Sequence, residues 1–587
     1  MRALADALFA SEGTRARTAK VEALATALRE VAESEPARLP FATRLLTGTM
    51  LPTEDDRTLG TGGAILFEAA CRVTGMSAEE IGQRARRAGD LGTAVGEALA
   101  IAGHDPVNKG LTLEKAESVA HTLASTGSRS EKLRALCEAL ESCTPLEGRY
   151  LVRAILGEMR VGAKEGIALD AIAKAFGRTL EDVRRAGGLV TDVGELARLA
   201  AEDRLGEARV VLGRPLGFML ATPIETARGA DLTVPHAVED KIDGIRAQAH
   251  VSADGVKLFA RGKGPVTAAF PDVTRPLALA VNAGTLPAAI LDGEIVVTTP
   301  EGRPRPFSAL QPRLKKSEPD ADLIRDNPVT YLVYDLLYEG DEPLLGLPFL
   351  DRRARLTEWA KKAPAPIVLH ESRPLPSPDA LDPEFDAARA RGFEGLVLKR
   401  LDAVYAAGVR GFSWLKVKKA FATLDVVIVA AERGHGRRAD VLSDYTFSIW
   451  HDGKLETVGK AYSGLTDVEI AELTTRLRSL ALEEEKRGWL PVKPEIVLEV
   501  AFDGLQKSAR HSSGYALRFP RINRIRDDKK AEEADTLETV QRLYEAQVAS
   551  GHREESTARK PEKKGGRKSG RRPDIRKKSK QLKLFDD

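Results

Sequence analysis

Glu239-Asp240-Lys241-Ile242-Asp243-Gly244-Ile245-Arg246 is the stretch on which the reading of this 587-residue chain turns. It offers a lysine, then Asp-Gly, then an arginine, at fixed spacing. The plain reading is a turn between two strands with Asp-Gly at its tip, a dipeptide that readily adopts tight-turn geometry. The chemical reading makes Lys241 a nucleophile with an arginine at hand for phosphate. Four fixed positions arise by chance in a chain of this length with odds of about one in a few hundred, so the neighbours must decide.

Downstream, chemistry-bearing residues recur inside β-rich runs. Arg261 closes one such run, and Leu291-Asp292-Gly293-Glu294-Ile295-Val296 puts a carboxylate inside an apolar strand. Tyr331-Leu332-Val333-Tyr334-Asp335 sets an aromatic beside an acid, and Phe393-Glu394-Gly395-Leu396-Val397-Leu398-Lys399 opens a buried strand with a second carboxylate. In Trp414-Leu415-Lys416-Val417-Lys418 the alternation predicts both lysines on one face. Singly, each has a bland account: Glu294 as an edge residue, the lysines as a solvated face, Tyr334 and Trp414 as core. Together they supply a nucleophilic lysine, two carboxylates for a divalent metal, an aromatic to stack a base, and cations for phosphates.

The order and wording of these elements resemble the nucleotidyltransferase superfamily of ATP-dependent DNA ligases and mRNA capping enzymes. The resemblance is strongest to the archaeal and bacterial multidomain DNA ligases and runs from residue 1 to about 545. Arg518-Phe-Pro-Arg521-Ile-Asn-Arg524-Ile-Arg526-Asp527-Asp528-Lys529 resembles the family's last motif. Arg153-Ala-Ile-Leu-Gly-Glu-Met-Arg160-Val-Gly162 resembles part of a helical DNA-binding domain that separates DNA ligases from capping enzymes.

The resemblance implies a role for each matching residue. Lys241 would attack the α-phosphate of ATP, release pyrophosphate and carry AMP. A free lysine has a pKa of about 10.4, so its surroundings must favour the neutral amine. Glu239 would help select adenine and Tyr334 would stack on it. Arg246 and Arg261 would contact ribose and phosphate, Arg410 the nucleotide, and Lys416 and Lys418 the α-phosphate. Glu294 and Glu394 would serve a divalent metal, with Mg2+ expected. Arg518, Arg526 and Lys529 would orient the leaving pyrophosphate. AMP would then pass to the 5′-phosphate of a nick and leave when the 3′-hydroxyl attacks. Nicked double-stranded DNA would be read by backbone and shape. The chain departs from the family at Ala260-Arg261-Gly262-Lys263, which keeps only the arginine of a usual Ser-Arg-Asn, and at Tyr334, where phenylalanine is commoner.

The implied fold is multidomain. Residues 1–207, rich in Ala, Leu, Glu and Arg, form an all-α DNA-binding domain. Residues 208–419 form an α/β, ATP-grasp-like nucleotidyltransferase domain, and 420–547 a β-barrel OB-fold domain. Residues 548–587 form a disordered basic tail. Within the helical part, Arg44-Leu-Leu-Thr-Gly48-Thr-Met50 echoes Arg153-Ala-Ile-Leu-Gly157-Glu-Met159, a hint of duplication. No apolar run reaches the length of a membrane span, and no signal peptide is evident. Cys71, Cys137 and Cys143 lack metal-ligand spacing and are odd in number, so a reducing cytoplasm is expected, with Cys137 as a buried core thiol; the chain is also expected to be a monomer.

The net charge of +3 hides an asymmetry: residues 551–587 carry 14 Lys+Arg against 6 Asp+Glu. Such a segment attracts polyanions without regard to sequence. It ends in Gln581-Leu582-Lys583-Leu584-Phe585, which resembles the pentapeptide by which bacterial proteins dock on the β sliding clamp. A chance apolar end is the bland alternative. Two other readings of the whole chain stand beside DNA joining: RNA ligation or capping with another nucleotide, and a silent nick-binding scaffold. The helical domain opposes the first and the retained Lys241, Glu294, Glu394 and Lys416 oppose the second.

Overall fold

The structure is a computed structural model that describes residues 1–549 apart from 56, 105–109, 163–164, 228–230, 263, 300–303, 306, 315–317, 418–420, 435–437, 439 and 487. Lys418 and the pentapeptide Gln581–Phe585 lie outside the described residues.

The N-terminal part is helical, from Arg2–Glu12 to Val193–Ala201, around one apolar core. The echo seen in sequence has a structural counterpart. Arg44 and Arg153 sit in the last turns of the helices Leu39–Thr47 and Pro145–Leu156, which end on Gly48 (φ 84°) and Gly157 (φ 70°) in the left-handed conformation that glycine tolerates. Arg44 pairs with Asp192 at 3.1 Å, the N-cap of Val193–Ala201; Arg153 pairs with Asp90 at 2.9 Å, the N-cap of Leu91–Ile101. Two residues after each aspartate, Gly194 and Gly92 allow backbone to meet backbone. A Cβ there would stand 2.3 Å from Pro40 O and 2.6 Å from Arg149 O respectively. The arginine of each copy therefore pairs with the aspartate that follows the other copy. Leu133, Leu136 and Leu140 form a buried stripe at helical spacing on Arg129–Ser142. Cys137, expected to be a buried core thiol, is only partly buried at the margin of that stripe; Cys143 is the fully buried one.

The middle of the chain builds two sheets. The first runs in the order Leu220–Ile224, Arg410–Val417, Leu396–Arg400, His236–Asp240, Arg373–Pro374. The second runs Gly264–Pro265, Gly255–Ala260, Ile245–Ser252, Ala289–Val297, Val329–Glu339, Glu342–Pro343, with Ile367–Leu369 alongside Val329–Glu339. Residues 241–244 thus cross from one sheet to the other. The hairpin-tip reading of Asp243-Gly244 is corrected, since the flanking strands do not pair with each other. Gly244 is required by close approach: a Cβ there would lie 2.5 Å from Ile295 O and 2.6 Å from Val296 Cγ1.

The C-terminal part is an antiparallel sheet in the order Lys454–Ala461, Leu442–His451, Ala422–Arg433, Val497–Phe502, Arg521–Ile525, with Trp489–Pro491 also on Ala422–Arg433. A separate hairpin pairs Gly504–Lys507 with Tyr515–Arg518, and the helix Asp467–Ser479 packs Ile470, Leu473 and Leu477 into the shared core. Among the described residues, no helix is long and apolar enough to cross a membrane.

Candidate active site

Strand register explains how residues far apart in sequence meet. In the first sheet Val397 faces Glu239 and also Lys416, while Lys399 faces Ala237 and also Trp414. Opposed residues in antiparallel strands share a face, and alternate residues keep it. Glu239, Lys399, Trp414 and Lys416 therefore line one surface. Lys241 continues the ladder past the end of its strand, its N–H donating to Gly395 O (2.8 Å) and its carbonyl accepting from the Glu394 N–H (3.0 Å). In the second sheet Arg246 faces Glu294, with Asp292 two residues before it on the same face. The two surfaces meet: the Arg246 guanidinium lies 5.3 Å from the Trp414 ring centre and 5.9 Å from that of Tyr334.

At the centre, the Lys241 ammonium bonds to Glu394 Oε2, and both side chains keep about one-fifth of their exposure. Glu294 lies close enough to feel Lys241, Arg246, Asp292 and Glu394. Burial pushes its carboxyl up to about 8, and the two cations only partly offset this. The expected nucleophile and the two expected metal carboxylates are thus brought together. Among the described residues there is no cluster of three or more metal-type side chains. A pair suits magnesium, which takes one or two carboxylates and completes its shell with phosphate oxygens and water.

Around this centre the remaining candidates fall into three groups. Glu239, Arg246 and Tyr334 form the wall of a buried cage. Glu239 Oε2 accepts from Lys399 Nζ at 2.8 Å, while its Oε1 is buried without a hydrogen-bond partner, as is the Trp414 Nε1 donor. Arg261, Arg410 and Lys416 stand at strand ends and edges. Arg261 is exposed, with its N–H donating to Arg246 O (3.1 Å), and Arg410 is exposed with Nη1 donating to Ala221 O. The last-motif residues divide. Arg518 reaches Asp243, in the crossover after Lys241, at 3.2 Å. Arg526 and Lys529 are instead anchored on Asp425, at 2.8 and 2.6 Å.

Three residues that the motif reading passed over hold the cage. Asp292 is fully buried and accepts from Arg246 Nε (3.1 Å) and Nη2 (2.7 Å), Tyr405 Oη (2.8 Å) and Tyr334 Oη (3.3 Å). Lys399 is the counter-charge to Glu239, and Tyr405 also accepts from the Met219 N–H at 3.1 Å. Asp292 and Lys399 lay inside the motifs already quoted; only the cross-sheet pairing assigns them. Behind them Asp335 and Arg352 form a fully buried ion pair at 2.8 Å, which fixes the strand carrying Tyr334.

A lysine bonded to one carboxylate and near a second, beside a buried cluster with one unmet acceptor and flanked by arginines, has the parts of a site that transfers a nucleotide through a lysine. Comparison with known proteins gives the same class. Residues 218–418 match the family described as ATP dependent DNA ligase domain, 1–173 match DNA ligase N terminus, and 438–529 match ATP dependent DNA ligase C terminal region. A probable DNA ligase of Koribacter versatilis is 41% identical over 571 residues, covering 93% of this chain and 97% of its own. A DNA ligase of Thermococcus onnurineus is 34% identical over 555 residues, with 93% and 97% covered. The solved structure Pmar-Lig_PreS3 shares the fold with a TM-score of 0.56 at 17% identity, over 89% of this chain and 99% of that one. The chain belongs to the ATP-dependent DNA ligases, enzymes that seal nicks by forming a phosphodiester bond with release of AMP.

Proposed function

We propose that Lys241 is the residue that carries AMP while this ligase seals 5′-phosphate/3′-hydroxyl nicks in duplex DNA. The observation that carries the assignment is the convergence of Lys241, Glu394 and Glu294 beside a cage whose Glu239 Oε1 lacks a donor. An exocyclic amine of adenine would supply that donor, and Tyr334 would stack on the base. Arg246, Arg261 and Arg410 would contact ribose and phosphates, with Lys416 and Lys418 at the α-phosphate, where planar or multivalent donors suit oxyanions. Glu294 and Glu394 would hold Mg2+, which when bound would draw charge from the phosphate under attack. The lysine ammonium must lose its proton before it attacks. Glu394, bonded to that ammonium, would take the proton.

We read the C-terminal sheet as an OB-fold domain and divide the chain at 207/208, 419/420 and 547/548. Arg518, already in contact with Asp243, would meet the pyrophosphate first, and Arg526 and Lys529 would join once freed from Asp425. The helical domain would grip duplex DNA, its two halves matching the two sides of a nick. The working form is a cytoplasmic, nucleoid-associated monomer, and the Gln581–Phe585 pentapeptide would tether it to a β sliding clamp. Purified protein given Mg2+ and ATP labelled at the α-phosphate should form an adduct that survives denaturation, mapped to Lys241. GTP in place of ATP should give none. An adduct with GTP instead would favour the capping reading, and no adduct with either would favour the scaffold.

A further inference from the structure

The cage holds an ion pair that phosphate transfer does not require. Lys399 and Glu239 are 1% and 3% exposed at the side chain, with Nζ 2.8 Å from Oε2. They are diagonal neighbours on one face, since Lys399 stands opposite Ala237 and Glu239 opposite Val397. The ammonium lies 4.3 Å from the centre of the Tyr334 ring, 4.4 Å from Trp414 and 4.9 Å from Phe349, and donates to the Tyr334 carbonyl at 3.4 Å. Three ring faces and a carbonyl fix the cation without surface contact. It is therefore out of reach of a phosphate in solvent, unlike Lys416, which is only half-buried on the neighbouring strand Arg410–Val417.

Glu239 shares only one oxygen with this cation. Its Oε1 is buried with no hydrogen-bond partner, and an unsatisfied buried acceptor is a standing cost that a bound donor would relieve. Burial lowers the pKa of Lys399, and Glu239 opposes that shift. Without Lys399 the lone carboxylate would be a buried, uncompensated charge and would take up a proton. A protonated carboxyl can donate as well as accept, so it would welcome a base that carries an oxygen where adenine carries its amine.

We propose that Lys399 is the positioning residue for base selection: by pinning Glu239 Oε2 as an anion, it leaves Oε1 able only to accept, and so admits 6-amino purines and rejects 6-oxo purines. The proposal rests on the reading of this cleft as the ATP site. The pairing of two acceptors, Oε1 against a 6-oxo group, leaves both unmet in a dry pocket. Sites built on a buried polar contact reject the mismatched analogue by large factors, up to about ten-thousandfold.

The test is the ratio of kcat/KM for self-adenylylation-type labelling with ATP against ITP, which differs from ATP at the 6-position. The wild type should prefer ATP by about a hundredfold or more. Lys399→Met should cut that preference by about tenfold or more, mainly through a higher KM for ATP and a gain with ITP. A merely structural role would slow both nucleotides alike and leave the ratio unchanged, which overturns the proposal; so does a wild type that takes ITP as readily as ATP. If Lys399→Met does not fold, Lys399→Gln removes the charge and leaves Glu239 intact while keeping a donor for its Oε2 in the buried site. Its ratio is then judged by the same criteria. Absence of any labelling of the wild type by ATP would instead defeat the reading of the site.

Discussion

Asp292→Ala removes the one anion that holds the cage together. The carboxylate is fully buried and accepts four hydrogen bonds, two from Arg246, whose side chain is 14% exposed, and one each from Tyr405 and Tyr334. Removal of one partner of a buried pair costs about 3–5 kcal/mol, because the other charge stays buried without compensation. The two phenols lose an acceptor as well, at about 1–3 kcal/mol each where water cannot reach them. Water entering the space left by the carboxylate would recover part of this, so about 3–5 kcal/mol is the working figure. At about 2–4 °C per kcal/mol for a domain of this size, the melting transition should fall by roughly 6–20 °C. In a chain of several domains the relevant transition is the one that ATP shifts, so calorimetry is run with and without nucleotide. Asp292→Asn, which keeps the shape and one acceptor, should lose less and should raise KM for ATP. If Asp292→Ala melts within about 2 °C of the wild type, as surface substitutions do, the cage is not organised as described.

Glu294 gives a pH signature. Its carboxyl titrates near 8 in the fold against an ordinary 4.5, so the folded state keeps the proton longer and loses stability as pH climbs from 4.5 to 8. In metal-free protein, Glu294→Gln should match the wild type below pH 4.5, gain on it through that window and level off above 8; a difference in Tm independent of pH would contradict the assignment. Gly244→Ala drives a methyl into Ile295 O, with only 2.5 Å available, and should cost about 1–3 kcal/mol while displacing Lys241. Urea unfolding and adduct yield should fall together, and an unaffected variant would refute the tight crossover. Leu584→Ala with Phe585→Ala should weaken retention on immobilised β clamp and leave the joining of a short nicked duplex unchanged. Equal retention would remove the tether.

The sequence made the chemistry at the centre legible and left its supports hidden. Lys241, Glu294 and Glu394 could be named because each lies in a short motif whose residue types suit one reaction, and they do converge. The echo of Arg44 and Arg153 was likewise readable, since both end a helix on glycine in the same local wording. The partners of those arginines were not, because Asp192 and Asp90 lie 148 and 63 residues away and the exchange between halves is a property of packing. The same limit explains Asp292 and Lys399, whose roles depend on which strands pair and which sheets face each other. It also explains the turn. Asp-Gly is as good a hairpin tip as a crossover, and only the membership of the flanking strands in different sheets decides between them. For Arg526 and Lys529 the motif gave a destination near pyrophosphate, whereas their charges are engaged by Asp425 within the C-terminal sheet. A motif names a residue's chemistry, and the partner that engages its charge is set by packing.

The central claim is that Lys241 bonds to AMP and is needed for that alone. Sealing by Lys241→Ala should therefore be measured on two substrates side by side: a nick with ATP, and a nick already bearing AMP on its 5′-phosphate. No adduct and no joining are expected on the first, with measurable joining on the second, where the AMP-carrying step has been bypassed. An adduct on the variant, or loss of both reactions to the same degree, would contradict that claim.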